Sequence, residues 1–128
     1  MRPYSYPIRI EMKQLLLLVL VLLPLLASAA FAQQLQIRIV SLTSPVSPGD
    51  DASITIQTAP NASCSITVIY KSGPSRARGL FPQSADSRGR VTWTWRVGTR
   101  TTPGRWPIIV TCSAGGRQGT LETAFVVR

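Results

Sequence analysis

Apolar and polar residues alternate in short runs along most of the chain, and clusters of proline and glycine separate these runs. A period of two is typical of β-strands that bury one face, and no segment between Leu35 and Val127 shows the 3.6-residue period of an amphipathic helix. The alternation predicts strands near residues 35–39, 52–57, 64–71, 91–97, 106–112 and 121–127, with a weaker edge strand at Leu80 and Phe81. The pattern therefore indicates an all-β domain.

About seven short strands in a chain of this length match an immunoglobulin-like antiparallel β-sandwich. We assign the sandwich to residues 33–128. Residues 33–50, which hold the first strand and a proline-rich turn, belong to the same domain. A chain of this size supports one modest core, so a single domain is expected.

Residues 1–32 have the organisation of a secretory signal peptide. Basic residues precede the apolar run 15–26, and the small-x-small sequence Ala30-Phe31-Ala32 follows it as a cleavage site. The basic residues are Arg2, Arg9 and Lys13. Met12 stands directly before Lys13 and the leucine run, so translation from Met12 would also produce a complete signal. Met12 is therefore a candidate for the true start.

The apolar run is shorter than the roughly 20 residues that a membrane span needs, and Pro24 near its end favours cleavage. We expect cleavage before Gln33, a secreted or cell-surface location, and no stable membrane span in the processed chain. An uncleaved N-terminal membrane anchor is the alternative.

The processed chain contains two cysteines, Cys64 and Cys112. In an oxidising compartment such a pair usually forms a disulfide, and two buried free thiols are the alternative. If Cys64 opens the third strand and Cys112 closes the sixth, the two strands run antiparallel side by side and the bridge lies within one sheet. A second register places Cys64 on the second strand and makes Trp93 the core tryptophan, but it leaves too few strands afterwards.

Several aromatic residues occupy positions that the alternation assigns to the core: Tyr70, Trp93, Trp95, Trp106 and Phe125. Trp93 and Trp95 are two residues apart, so they share one face of their strand, which is the spacing of core residues. The alternative is an exposed aromatic strip beside Arg96 and Arg105 that stacks sugars or single-stranded bases.

Several segments between residues 70 and 112 carry a family resemblance: Tyr70-Lys71-Ser72-Gly73-Pro74-Ser75, the tryptophan strand 91–97, the turn Thr102-Pro103-Gly104-Arg105-Trp106-Pro107, and the closing Cys112. Together they resemble the bacterial immunoglobulin-like modules of secreted and cell-surface proteins. The resemblance extends over most of the processed chain, from Ala52 to Val127. It implies a non-catalytic module that acts in binding or adhesion at the cell envelope, with an unidentified envelope protein or polymer as its partner.

Charge adds a second hypothesis. The processed chain has eleven basic and four acidic residues, a net charge of +7. A field of this sign attracts nucleic acid, anionic wall polymers and phospholipid head groups. The candidate contacts for such an anionic ligand, as one patch or as scattered solvated charges, are Arg76, Arg78, Arg88, Arg90, Arg96, Arg100 and Arg105.

Few residues are suited to catalysis. The chain has no histidine, the commonest general base and metal ligand. The glycine-rich segment 115–119 joins two predicted strands and opens no helix, so it lacks the dipole of a phosphate-binding loop. Asp50 and Asp51 supply fewer oxygens than the about six to eight that calcium takes. We therefore expect no enzyme activity, no catalytic residue, no metal site and no cofactor.

Overall fold

The structure, a computed structural model, describes residues 34–128, which form eight β-strands in two antiparallel sheets. The strands are β1 (Arg38–Leu42), β2 (Asp51–Gln57), β3 (Ser63–Tyr70), β4 (Gly73–Pro74), β5 (Gln83–Ser84), β6 (Arg90–Arg96), β7 (Gly104–Ala114) and β8 (Arg117–Val127). One sheet has the order β1-β2-β6. The other has the order β4-β3-β7-β8, and β5 also pairs with β3.

This arrangement confirms the predicted fold class. The orders β1-β2-β6 and β3-β7-β8 correspond to strands A, B, E and C, F, G of the immunoglobulin fold. The signal peptide and the alternative start at Met12 lie outside the described residues. A search of residues 34–128 for a helix that could span a membrane finds none.

Both sheets contribute alternate side chains to one core. Along β2 and β6 every second residue is buried, and the intervening residues are partly or fully exposed. Trp93 and Trp95 of β6 are the largest fully buried side chains. The Trp93 indole N–H donates to the carbonyl oxygen of Phe81 at 2.9 Å, and that of Trp95 donates to the Tyr70 hydroxyl at 3.1 Å. A buried N–H group without an acceptor would destabilise the fold by about 1–3 kcal/mol. These two hydrogen bonds avoid that penalty for both indoles.

The first strand departs from the predicted alternation. Leu35 is buried, but Ile39 is exposed, and β1 begins only at Arg38. The pairing of β1 with β2 shifts register between Ile39 and Ser41, as at a β-bulge, and Leu42 packs against the core instead. A bulge inserts one residue and reverses the side-chain phase, which a simple period of two does not anticipate.

The N-terminal segment closes one side of the sandwich. Before β1, Gln34 forms a parallel bridge to Gln118 of β8, and after β1, Val46 forms one to Val127. Between these bridges the chain pairs with β2 of the other sheet. The segment therefore links the two sheets along the edge formed by β1 and β8.

Residues 75–82, here called the strap, close the opposite side. The predicted edge strand at Leu80 and Phe81 is wrong: those residues form no strand, and the regular pairing lies at β4 and β5 on either side. The strap instead crosses to β6, where Phe81 accepts the Trp93 hydrogen bond. Gly79 has a φ of 99°, and a Cβ there would overlap the carbonyl oxygen of Thr94. Only glycine allows this approach.

Cys64 and Cys112 form a disulfide. They are directly opposed in the antiparallel pairing of β3 with β7, with a Cα–Cα separation of 4.1 Å, and both are buried. The preferred register from the sequence, with a bridge between neighbouring strands of one sheet, is confirmed. The described residues contain no free cysteine.

Asp86 organises the turn that leads into β6. Its Oδ1 accepts the backbone N–H of Arg88 at 2.8 Å and that of Arg90 at 2.9 Å. The hydrogen bond from Arg90, with smaller contributions from Arg88 and from both guanidinium charges, lowers the pKa of the Asp86 carboxyl below its usual value. The ionised carboxylate therefore stabilises this turn.

The disulfide should contribute strongly to stability. It closes a loop with a sequence separation of 48 residues, and the chain-entropy model gives about 4 kcal/mol for a loop of this length. We expect the double variant Cys64→Ala/Cys112→Ala to lose about that free energy of unfolding in urea titrations. An unchanged unfolding midpoint, or an intact mass unaltered by reductant after denaturation, would contradict the assignment.

The Asp86 turn should make stability depend on pH. Because the folded-state pKa is lowered, the contribution of Asp86 is present above the unfolded pKa of about 4 and is lost as pH falls through the folded pKa. We expect Asp86→Ala to lower the free energy of unfolding at about pH 7, and the difference from wild type to shrink at about pH 2. Asp50→Ala is the control, since its carboxylate makes no hydrogen bond or salt bridge within residues 34–128. An Asp86→Ala deficit that is equal at both pH values would refute this role.

Candidate functional site

The strand directions define two poles of the sandwich. At the Tyr70 pole, β3 ends at Tyr70 and β7 begins at Gly104. At the Gly115 pole, β7 ends and β8 begins, on either side of Gly115. The registers of β2 with β6 place Asp51 and Arg96 at the Tyr70 end, and Gln57 and Arg90 at the other.

The seven candidate arginines are exposed, and the structure does not bring them into one patch. One group lies at the Tyr70 pole, a second at the Gly115 pole, and a third on the strap. The groups are Arg96, Arg100 and Arg105; Arg88 and Arg90; and Arg76 and Arg78, respectively.

The Gly115 pole contains two arginines that the sequence did not single out. Arg38 of β1 and Arg117 of β8 line one cleft of about 320 Å³. Gln57 lies between Arg38 and Arg90 in the strand register, and its Oε1 accepts from Arg90 Nε at 3.2 Å. The Gln57 amide also donates to the carbonyl oxygen of Arg88. Arg38 and Arg117 are far apart in the sequence, and only the pairing of β1 and the position of β8 bring them to the same cleft. No local sequence signal therefore identifies them.

A larger cleft of about 580 Å³ opens at the Tyr70 pole. We call it the Tyr70 cleft, and it lies between the loop after β3 and the loop before β7. Two cationic side chains, four hydroxyl groups and one glycine line it: Lys71, Arg100, Tyr70, Ser72, Thr101, Thr102 and Gly98. The cleft therefore combines positive charge with hydrogen-bonding groups.

The Tyr70 side chain is held in place by its neighbours. Its ring contacts those of Trp106 and Phe125 edge to face, with centroid separations of 6.2 Å and 6.0 Å. Its oxygen accepts the hydrogen bond from Trp95. Burial raises the pKa of the Tyr70 hydroxyl, while the hydrogen bond from Trp95 acts in the opposite direction. The hydroxyl is therefore protonated at neutral pH and has a hydrogen to donate.

The second loop of the Tyr70 cleft is tied to the same aromatic cluster. The Trp106 indole N–H donates to the carbonyl oxygen of Thr102 at 2.9 Å. The backbone N–H of Thr101 donates to the carbonyl oxygen of Gly98 at 3.0 Å and closes a turn. Four of the cleft-lining residues, Gly98, Arg100, Thr101 and Thr102, thus belong to a loop that contains a hydrogen-bonded turn and is tied to Trp106.

Acidic residues neutralise only part of the charge. Arg96 Nε lies 3.1 Å from Asp51 Oδ1, and this is the only salt bridge within residues 34–128. Both partners are largely exposed, so the pair contributes at most about 1 kcal/mol to stability. Lys71 and Arg100 in the Tyr70 cleft have no carboxylate partner among the described residues.

The five candidate core aromatics differ in burial. Trp93, Trp95 and Phe125 are buried, whereas Tyr70 and Trp106 are partly buried and pack against the core. An aromatic strip formed by Trp93 and Trp95 on the surface does not exist, because both face inward. Across residues 34–128 no group of three or more His, Cys, Asp or Glu side chains is arranged to hold a metal ion.

No protein-family model matches the chain. No curated protein matches it in sequence. Among solved structures, the chain is similar to the sulfur carrier protein SoxY from Chlorobium limicola f thiosulfatophilum, with 18% identity and a TM-score of 0.46 over 72% of this chain and 78% of that chain.

Two further solved structures are similar to the chain. A chimeric titin Z1Z2 carrying an exogenous decorin peptide has 23% identity and a TM-score of 0.46, over 73% of this chain and 96% of that chain. A family 123 glycoside hydrolase from Clostridium perfringens has 13% identity and a TM-score of 0.41, over 73% of this chain and 27% of that chain. No function follows from identities this low.

Proposed function

We propose that the chain is an exported, non-catalytic immunoglobulin-like module that binds at the bacterial cell envelope, as part of the family of modules that its sequence resembles. The observation that carries this proposal is the disulfide between Cys64 and Cys112 inside a small sandwich. Disulfides persist in oxidising compartments, and small exported domains use them to supplement a modest core. The apolar run before Ala30-Phe31-Ala32 supplies the route to that compartment.

The surface of the module supports a binding role rather than a purely structural one. Its open cleft at the Tyr70 pole contains Lys71 and Arg100, which make no salt bridge within the described part of the chain, and four hydroxyl groups. Groups of this kind fix the orientation and specificity of a ligand. The envelope partner is thus expected to contact a loop surface, as ligands of other sandwich domains do.

Export can be tested with the full chain in a bacterial host. We expect a soluble envelope product that begins at Gln33 and contains the oxidised cysteine pair, measured by cell fractionation and intact mass. The variant Leu18→Arg/Leu20→Arg should abolish export, since charges interrupt the apolar run. A product that keeps residues 1–32 and sediments with membranes would show the anchor instead of cleavage, and a reduced cytoplasmic product would refute export.

A second candidate function is binding of anionic polymers through the arginines between Arg76 and Arg105. The observation that favours it is incomplete neutralisation: of the seven candidates, Arg96 alone forms a salt bridge within residues 34–128, and Asp86 acts on Arg88 and Arg90 only at longer range. Long-range attraction by such a field raises association rates with nucleic acid or an anionic wall polymer.

Salt dependence tests this second function. If a duplex DNA probe contacts about three arginines, its affinity should fall about fortyfold between about 50 and 200 mM salt. Arg88→Gln/Arg90→Gln and Arg76→Gln/Arg78→Gln remove equal charge at the Gly115 pole and on the strap, so a larger loss in one of them locates the contact. Binding that is absent at low salt, or unchanged in both variants, would exclude these arginines as the contact.

A further inference from the structure

We propose that the Tyr70 cleft binds an anionic saccharide, a sugar unit that carries a carboxylate or phosphate group. This inference rests on the proposed envelope-binding function and deepens it by naming the site and the ligand class. The cleft volume of about 580 Å³ lies within the range of ligand pockets, about 300–1,000 Å³. A mono- or disaccharide unit of an envelope polymer is the size of ligand that fits.

The two cations of the cleft define the charge of the ligand. Lys71 follows the last residue of β3, and Arg100 lies in the loop before β7, so they approach the cleft from its two sides. Neither has a carboxylate within salt-bridge distance among the described residues. An Arg guanidinium offers paired N–H donors that match a carboxylate or phosphate group, and Lys adds a point charge.

The hydroxyl groups indicate that the rest of the ligand is a polyol. Ser72, Thr101 and Thr102 line the cleft, and their hydroxyls make no hydrogen bond to protein within residues 34–128. The Tyr70 oxygen accepts from Trp95, which leaves its own hydrogen to be donated. A half-buried donor gains by meeting an acceptor, and sugar hydroxyls both donate to and accept from such groups.

The cleft is also prepared for binding. The Tyr70 ring is fixed by three aromatic neighbours, and the Trp106 hydrogen bond to Thr102 fixes the facing loop. Ordering flexible side chains and loops on binding costs affinity, and a braced site avoids part of that cost. The site therefore suits a small ligand with few contacts.

The cleft lined by Arg38 and Arg117 at the Gly115 pole is a weaker candidate. Gln57 already accepts from Arg90, and the Thr58 hydroxyl already donates to the carbonyl oxygen of Gln36. The remaining lining consists of Gln34, Leu35, Gln36, Ile37 and Ala59, and none of these residues carries a hydroxyl group. Its arginines attract anions, but it offers few free hydroxyl-bearing partners for a sugar.

The experiment uses the exported, processed chain and defined probes. A digalacturonate and glucose 6-phosphate represent the carboxylate and phosphate forms, and digalactose is the neutral counterpart. We expect both anionic probes to shift the backbone amide NMR signals of residues 70–72 and 98–102 in a saturable manner, and digalactose to bind at least about fivefold more weakly. Inorganic phosphate alone should bind more weakly than glucose 6-phosphate, because it does not use the hydroxyl groups.

Variants test the assignment of the cations. Lys71→Gln and Arg100→Gln should each weaken digalacturonate binding about fivefold to tenfold, and Arg100→Lys should retain more affinity than Arg100→Gln. Arg88→Gln is the matched control, since it removes the same charge at the opposite pole and should change affinity less than twofold. These residues are exposed, so the variants keep the core intact.

Several results would overturn the inference. Shifts centred on the Gly115 pole would place the anion site elsewhere. Equal losses of digalacturonate affinity in Arg100→Gln and Arg88→Gln would show that binding depends on the overall positive charge and not on the Tyr70 cleft. A thymidine oligonucleotide that binds in the Tyr70 cleft as tightly as the anionic sugars would indicate that the ligand is a nucleic acid and not a saccharide. If the processed, exported chain binds neither anionic probe, the saccharide site is refuted and the proposed export and envelope location are not. Failure of export refutes the proposed function itself.

Discussion

Trp95 links the two sheets, and the Tyr70 pole depends on that link. The tryptophan belongs to β6 of the three-stranded sheet, while the hydroxyl that accepts its indole N–H belongs to β3 of the other sheet. The ring of Trp95 also packs edge to face against Phe125 of β8, with centroids 5.6 Å apart. One side chain thus joins three strands, and its hydrogen bond holds Tyr70, which lines the cleft. Burial of the apolar ring and the hydrogen bond of its indole N–H both stabilise Trp95 in this position.

The strands with strict alternation, β2, β3, β6 and the buried half of β7, could be predicted from sequence because each buries one face against the core. The segments that depart from the predicted alternation have a different cause. The bulge after Ile39 and the path of the strap follow from contacts with distant residues, and the strap needs Gly79 only because the Thr94 carbonyl comes so close. The sequence identifies Arg100 as a candidate anion contact, but its position across the cleft from Lys71 depends on the pairing of β3 with β7. Local patterns predict elements, whereas long-range pairing assembles sites.

The net charge of the chain does not show which groups its acidic side chains contact. Asp86 stands among Arg88 and Arg90 in the sequence, yet its carboxylate is used for backbone N–H groups of the turn. Asp51 pairs with Arg96 on the outer face of the three-stranded sheet. The acids therefore stabilise local structure, and the guanidinium groups of Arg88 and Arg90 have no salt-bridge partner in the described part of the chain. The positive field extends from both poles rather than from one patch.

The disulfide and the Tyr70 cleft occupy opposite ends of β3. Cys64 lies near the start of the strand and Tyr70 at its end, a separation of roughly 20 Å along an extended chain. The bridge reduces the conformational freedom of the unfolded chain, but it contacts no residue that lines the cleft. The shape of the cleft depends instead on the aromatic cluster of Tyr70, Trp95, Trp106 and Phe125. The covalent link and the geometry of the candidate site are therefore supplied by separate parts of one sandwich.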